Sequence, residues 1–325
     1  GVEDTAFYRG SRLVSLQEVG GGTGRFGVSP AEFHLLQAER ARLWPKAMTT
    51  LTTHDTKRGE DVRSRISCIT ESAERFAELC DGIEYTDGGT CHFLLQNMIG
   101  VWPVDGNVSN ELRERLHAYA EKAMREAGVH TTWFDVNEEF ETSIHQWIDS
   151  TIDNHGEDIT AFVAEIAPAA EMVSLSKKLL HIMGPGIPDI YQGTEFFTDS
   201  LVDPDNRRPV DFAERMEALD RVSRGDVRSI DDERLYVITT ALQIRNQFEL
   251  DEASYLPVMA TGTMERHVLG TLRGDDVITL VTRRPLDILR DGWADTTVAL
   301  PEGVWEDRLS GSMWEGEVAL ASLFS

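Results

Sequence analysis

The chain has 325 residues, 41% apolar and 27% charged, with a formal net charge of −25. This is the composition of a soluble globular protein with enough length for one large domain or two ordinary ones. The acidity excludes nucleic acid, anionic membranes and polyanionic substrates, which all need a cationic face, and leaves neutral ligands such as sugars unaffected.

Residues 1–28 read as irregular and glycine-rich, ending in EVGGGTGRFG. The run lacks the GxxxxGK[ST] order of a phosphate loop, so an active-site or surface loop is expected. SPAEFHLLQAERARLWP then predicts a helix, with Ser29 as N-cap, Pro30 at N1, Glu32 completing a capping box and Pro45 as the stop. Phe33, Leu36, Arg40 and Leu43 recur along it at helical spacing. AMTTLTTHD is short and β-branched and predicts a buried strand carrying His54 and Asp55 at its C-terminal end.

Residues 60–182 read as predominantly helical. NELRERLHAYAEKAMREAG places Leu112, Leu116, Ala120, Ala123 and Ala127 on one face, with Asn110 as N-cap and Gly128 as the stop. NEEFETSIHQWIDSTI spaces Phe140, Ile144, Trp147 and Ile148 for a buried stripe. EMVSLSKKLLHIM ends in GPG, IPDIYQGTE predicts another short strand, and SLVDPDNRRPVDF a loop. A boundary is expected near residue 215. Beyond it a helix around 230–247 precedes HVLGTLRGDDVITLVTRR, two alternating runs about a Gly-Asp-Asp turn, and further strands in TTVALPEGVWEDRLSG and WEGEVALASLF.

Cys68, Cys80 and Cys91 form neither a disulfide framework nor a zinc pattern, which suggests a reducing cytoplasm and small buried hydrophobes. No metal or cofactor is expected. No apolar run approaches the ~20 residues of a membrane span, and no signal peptide is seen. The chain opens on Gly1 in sequence that looks mid-domain, as an excised piece would.

The fold class expected is α/β plus β. Residues 1–215 read as the C-terminal part of a (β/α)8 barrel with a helical insertion at about 60–182. Residues 216–325 read as a linking helix and a small, β-sandwich-like sheet. Barrel enzymes present catalytic groups at strand C-termini. Asp55, flanked by His54, Lys57 and Arg58, is then a carboxylate suited to an oxocarbenium-like sugar. Two other readings of the His-Asp pair stand beside it: a strand terminus bonded to backbone, and the metal site of a helical phosphohydrolase, for which the β-branched threonines are poor helix formers.

THDTKRGEDVRSRI resembles a characteristic segment of the maltooligosyltrehalose synthases, a family within the α-amylase superfamily (glycoside hydrolase family 13). GVEDTAFYR, RLVSLQEVGG, KAMREAGVHTTW, GPGIPDIYQGTE, SLVDPDNRRPVDF and ALPEGVWEDRLSG resemble further segments, so the likeness runs over almost the whole chain. Gln17, the GGGTG run and TTWFDVN depart from the usual pattern and imply altered subsite detail. The resemblance implies conversion of the reducing-end α-1,4 bond of a maltooligosaccharide to α,α-1,1, by a retaining mechanism with three carboxylates. Asp55 matches the third carboxylate and His54 the histidine beside it. Lys57 is expected to donate to a hydroxyl of the reducing-end glucose, and Arg58 either to bind sugar or to be structural. Glu195 and Trp133 are further candidate sugar contacts, each with a structural alternative: a loop hydrogen bond for Glu195, a core position for Trp133. Glu3 and Asp4 are loop or strand-end acids on the same face, with hydrogen bonding within loops as the alternative, and Asp203, Asp205, Arg207 and Arg208 are expected to form a structural ion network, with a place for one of them in the cleft lining as the alternative. Nothing here matches the nucleophile or general acid, so the partner implied is the N-terminal half of the same barrel, and the chain alone is expected to be inactive. A non-catalytic carbohydrate-binding scaffold and an amylase-type hydrolase are the competing readings.

Overall fold

The structure is a computed structural model and describes residues 2–22 and 24–324. Gly1, and with it the reading of the chain's opening, lies outside the described residues, as do Thr23 of the glycine-rich run and Ser325. In chain order the elements are α1 (Val2–Arg9), α2 (Pro30–Leu43), β1 (Met48–Thr50), α3 (Glu60–Cys68), α4 (Ala73–Gly82), α5 (Gly88–Val101), α6 (Asn110–Ala127) and α7 (Glu138–Met183). Then follow β2 (Ile187–Asp189), α8 (Phe212–Ser223), α9 (Ile230–Gln247), β3 (Tyr255–Val258), β4 (Ala260–Thr261), β5 (Val268–Arg273), β6 (Val277–Thr282), α10 (Pro285–Asp291), β7 (Thr297–Glu306), β8 (Met313–Ala319) and α11 (Leu320–Leu323).

Two compact units divide the chain. One holds the residues up to Phe26, Thr52–Glu171 and Thr198–Pro209; the other holds Gly27–Leu51, Met172–Phe197 and the residues from Val210 on. This division groups both short strands β1 and β2 with the C-terminal sheets, whereas the sequence boundary near 215 places them with the helices.

The first unit is helical. Its centre is α5, where Phe93, Leu94, Leu95, Met98, Ile99 and Val101 are all buried. Asp87 caps that helix by accepting from Thr90 N at 2.8 Å. Gly100 lets α3 approach: a Cβ there would lie 2.7 Å from Val62 Cγ1. On α6 the expected face of Leu112, Leu116, Ala120, Ala123 and Ala127 is buried, each leucine contributing roughly 1.5–3 kcal/mol. Gly128 ends α6 in the left-handed region, at φ 59°. The N-cap is Ser109, not Asn110, because the Ser109 hydroxyl accepts from Leu112 N at 3.1 Å. Residues read as irregular form α1, whose first turn carries Glu3 and Asp4 and whose last carries Arg9, a charge order that suits the helix dipole. Those two acids are therefore helical and not loop acids.

At 46 residues, α7 is long and apolar enough to cross a membrane by length and composition, although no single apolar run in the sequence approaches that length. The core helix of a globular protein meets the same test. Ile144, Ile148, Ile152, Phe162, Val163 and Ile166 are buried within the first unit, and Pro168 lies on the exposed side.

In the second unit β1 and β2 pair in parallel, Met48 opposite Ile187 and Thr50 opposite Asp189. β1 is not a buried strand: Met48 is 76% exposed, and β2 is its one neighbour among the described residues. Gly186 (φ 108°) permits the pairing, since a Cβ there would lie 2.7 Å from Ala47 O. The last carbonyls of α7 are held by two buried arginines. Arg245 donates to Ile182 O at 2.8 Å and to Gly186 O, and Arg273 donates to Met183 O at 3.0 Å. The packed face of α2 is the one carrying His34, bonded to the Tyr255 hydroxyl at 2.7 Å; Leu36 and Leu43 are exposed. β5 and β6 form the expected hairpin, Arg273 opposite Val277, in the sheet β3-β5-β6. The second sheet is β4-β7-β8, and Val268, Val298 and Val318 bring the two sheets into one core with Ile288 and Trp293.

Candidate functional site

The stretch after β1 is where the sequence and the structure differ most usefully. The strand stops at Thr50, and His54 and Asp55 lie in a turn beyond it, both exposed. The threonines make that turn. Thr53 Oγ1 accepts from Asp55 N and Thr56 N, both at 3.1 Å, and Thr56 Oγ1 donates to Thr53 O at 2.9 Å. A hydroxyl that captures backbone N–H groups two and three residues on ends a ladder and starts a turn. Asn206 completes the turn by donating to Thr53 O at 3.2 Å and to His54 O at 2.9 Å.

The charge burst that follows is largely buried. Glu18 is 6% exposed and accepts three backbone N–H groups: Val19 at 2.9 Å, Lys57 at 2.7 Å and Arg58 at 3.2 Å. Arg58 is wholly buried; it donates through Nε to Asn97 Oδ1 at 2.6 Å, and through its terminal nitrogens to Gln17 O at 2.9 Å and to the Tyr119 hydroxyl at 3.2 Å. It stacks over Phe93 at 5.3 Å. This is a structural residue, and the sugar-binding expectation for Arg58 is corrected. Lys57 Nζ donates to Asp4 Oδ1 at 2.7 Å and to Asp55 Oδ1 at 3.2 Å, so α1 and the turn share one cation. The Lys57 contact is the main reason Asp4 is pushed down to about 2. Burial pulls the Lys57 ammonium down, but its bonds to Asp4 and Asp55 outweigh that and its pKa is raised.

Beside the turn, residues 198–209 carry the expected ion network. Arg115 bridges Asp199 and Asp205 at 2.7 Å each, and Arg208 adds Asp199 at 2.6 Å. Burial pulls the Asp199 carboxyl up, and the two guanidiniums, Arg115 first, bring it below its ordinary value. Arg207 pairs with Asp203 at 2.7 Å. An open groove of about 730 Å³ runs along α1 and the following turn, lined by residues including Thr5, Arg9, Arg12 and Gln17. Trp133 is not a core residue: it is half exposed, its ring 5.0 Å from the Arg125 guanidinium.

Glu195 belongs to the other unit. It lies in the turn after β2, which ends at Asp189, so the expected strand does not reach it. Its carboxylate is 3.5 Å from Arg215 Nε, and Arg215 also donates to Gly193 O at 3.1 Å. This is an ion pair to α8 and not the hydrogen bond within the loop weighed for Glu195. The structure thus brings Asp4, Glu18, His54, Asp55, Lys57, Arg58 and Asn206 together. The roles of Glu18 and Asn206 had no sequence signal, since a lone polar residue in a loop has no periodicity. Cys68 and Cys91 are buried, and none of the three cysteines forms a disulfide among the described residues. Among the described residues no group of three or more His, Cys, Asp or Glu is placed to hold a metal.

No family model matches the chain. A protein of Mycobacterium tuberculosis that bears the name maltooligosyl trehalose synthase is 45% identical over 331 aligned residues, covering the whole chain. The chain spans 42% of that relative's length. The solved structure of maltooligosyltrehalose synthase from Arthrobacter ramosus is 41% identical, with a TM-score of 0.92 over the whole chain and 43% of its own. That of a hypothetical maltooligosyl trehalose synthase of Sulfolobus tokodaii is 30% identical, with a TM-score of 0.80 over 97% of the chain and 43% of its own.

Proposed function

Taking the chain as a homologue, along its whole length, of part of the maltooligosyltrehalose synthases, we propose that it works as the C-terminal portion of such an enzyme, including the last units of an amylase-type barrel. The reaction is an intramolecular transfer, an isomerisation of a maltooligosaccharide from a reducing-end α-1,4 bond to α,α-1,1, in the cytoplasm and without a cofactor. The observation that carries this reading is the THDTKRGED turn, which holds Asp55 exposed on a scaffold of buried bonds.

Asp55 is the carboxylate that binds the distorted sugar, and His54 contacts the same ring. An ionised group held at a fixed position stabilises an oxocarbenium-like transition state without reorganising. Trp133 offers an exposed aromatic face to a sugar. The nucleophile and general acid belong to earlier strands of the barrel, so the chain alone does not turn over. The released glucose must re-attack through its anomeric hydroxyl before water does, which requires a closed cleft.

The test is incubation of the longer protein with maltohexaose, following reducing ends and anomeric protons by NMR. Reducing ends should fall as an α,α-1,1 signal appears. A rise in reducing ends identifies a hydrolase, and binding without turnover a carbohydrate-binding scaffold.

A further inference from the structure

We propose that Asp4 is a positioning residue for the Asp55 carboxylate, acting through the Lys57 ammonium. The inference rests on the reading of Asp55 as a sugar-facing group. It also replaces the expected role of Lys57 as a donor to the sugar.

An ammonium has three hydrogens. Three acceptors surround Lys57 Nζ: Asp4 Oδ1 at 2.7 Å, Asp55 Oδ1 at 3.2 Å and the Asp55 carbonyl at 3.2 Å. The lysine side chain is 4% exposed, against 58% for that of Asp55. The cation is therefore saturated and enclosed, while the carboxylate it holds remains open to a ligand. By bonding both the carboxylate and the carbonyl of one residue, Lys57 fixes the Asp55 side chain against its own backbone. Asp4 makes the shortest of the three contacts and lies on a different element, so it sets where the ammonium stands. Tyr8, four residues on and on the same face of α1, places its ring 6.0 Å from the same nitrogen. Thus α1 presents one acid and one aromatic ring to the lysine. The depressed Asp4 carboxyl agrees with this geometry.

The test uses the longer protein with maltohexaose, and the variants Asp4→Ala, Asp4→Glu, Lys57→Met and Asp4→Ala/Lys57→Met. Displacing a catalytic carboxylate by about 1 Å costs up to ~100-fold, so Asp4→Ala should lower kcat by roughly 10- to 100-fold. KM should change by less than about threefold, because ground-state binding is not what is lost. Asp4→Glu should restore kcat, and Asp4→Ala should do nothing further in the Lys57→Met background, because the two act as one unit. An unchanged kcat in Asp4→Ala, or effects of the two substitutions that multiply, overturns the proposal.

A second readout does not depend on turnover. Acetic anhydride labelling read by mass spectrometry should modify Lys57 far more slowly than Lys46, whose side chain is 63% exposed, and Asp4→Ala should remove the protection. Equal labelling of the two lysines in the unaltered protein overturns the clamp itself. Full protection with no turnover by the unaltered protein instead brings down the functional reading, and the positioning role of Asp4 with it.

Discussion

Replacing Arg58 with Met separates a structural cation from a sugar-binding one. Met has a similar length and no donors, so the change deletes three hydrogen bonds while nearly keeping the volume. Bonds to a charged group contribute ~1.5–3 kcal/mol each, but they do not add simply. Asn97 Oδ1 keeps a donor, because the Tyr119 hydroxyl still reaches it at 3.1 Å. Gln17 O loses the Arg58 donor in a buried setting, at roughly 1–3 kcal/mol. Removing a wholly buried charge also removes its desolvation cost, which offsets part of the loss. The net expectation is a destabilisation of ~2–4 kcal/mol, a large share of the 5–15 kcal/mol typical of a domain. Urea unfolding followed by tryptophan fluorescence measures it. Arg58→Lys should recover little, since an ammonium cannot reproduce the planar fork that reaches Asn97, Gln17 and Tyr119. An unchanged midpoint together with weakened maltooligosaccharide binding would refute the reasoning and return Arg58 to the sugar.

Glu18→Gln keeps one acceptor oxygen but turns the other towards N–H groups as a donor, so the amides of Lys57 and Arg58 should exchange with deuterium faster and stability should fall by about 1–3 kcal/mol. Asp4, depressed to about 2, contributes stability that is full above the ordinary carboxylate pKa of 3.8 and is lost as pH falls towards 2. Pepsin cleavage around Phe7 and Tyr8 should therefore increase as pH is lowered from 4 to 2, and Asp4→Asn should show it already at pH 4. His145 is half-buried, its Nε2 is enclosed with no hydrogen-bond partner among the described residues, and burial and then His117 lower its pKa. The unfolded chain binds its proton first, so stability should fall as pH drops below 6.5; His145→Phe should flatten that slope in a thermal-melt series without loss at neutral pH.

Capping and periodicity were legible in the sequence because they are local. Ser29, the buried face of α6, Gly128 and the Gly-Asp-Asp hairpin all lie where their spacing puts them. The misses have a common cause. Strand length depends on which neighbour is present, and β1 pairs with β2 over three residues only, Thr49 and Ile187 lying 138 positions apart in the chain. β-branched threonines favour strands, so the sequence predicts a strand as far as Asp55, whereas here the hydroxyls of Thr53 and Thr56 bond the backbone and make a turn. At the site, Asp55 could be picked out by residue type and by resemblance. The division of labour around it could not: Arg58 and Lys57 look alike in sequence to any solvated charge, and only the positions of Asn97, Tyr119 and Asp4 bury them. Glu18 and Asn206 act through backbone groups, which carry no side-chain pattern to read.

The most direct test of the central claim is Asp55→Asn in the longer protein, with maltohexaose as substrate and the α,α-1,1 anomeric signal as readout. The account predicts that the unaltered protein makes the signal while reducing ends fall, and that Asp55→Asn loses at least about 100-fold in kcat with its unfolding midpoint unchanged. Turnover close to that of the unaltered protein would contradict it and remove the exposed Asp55 turn from the chemistry.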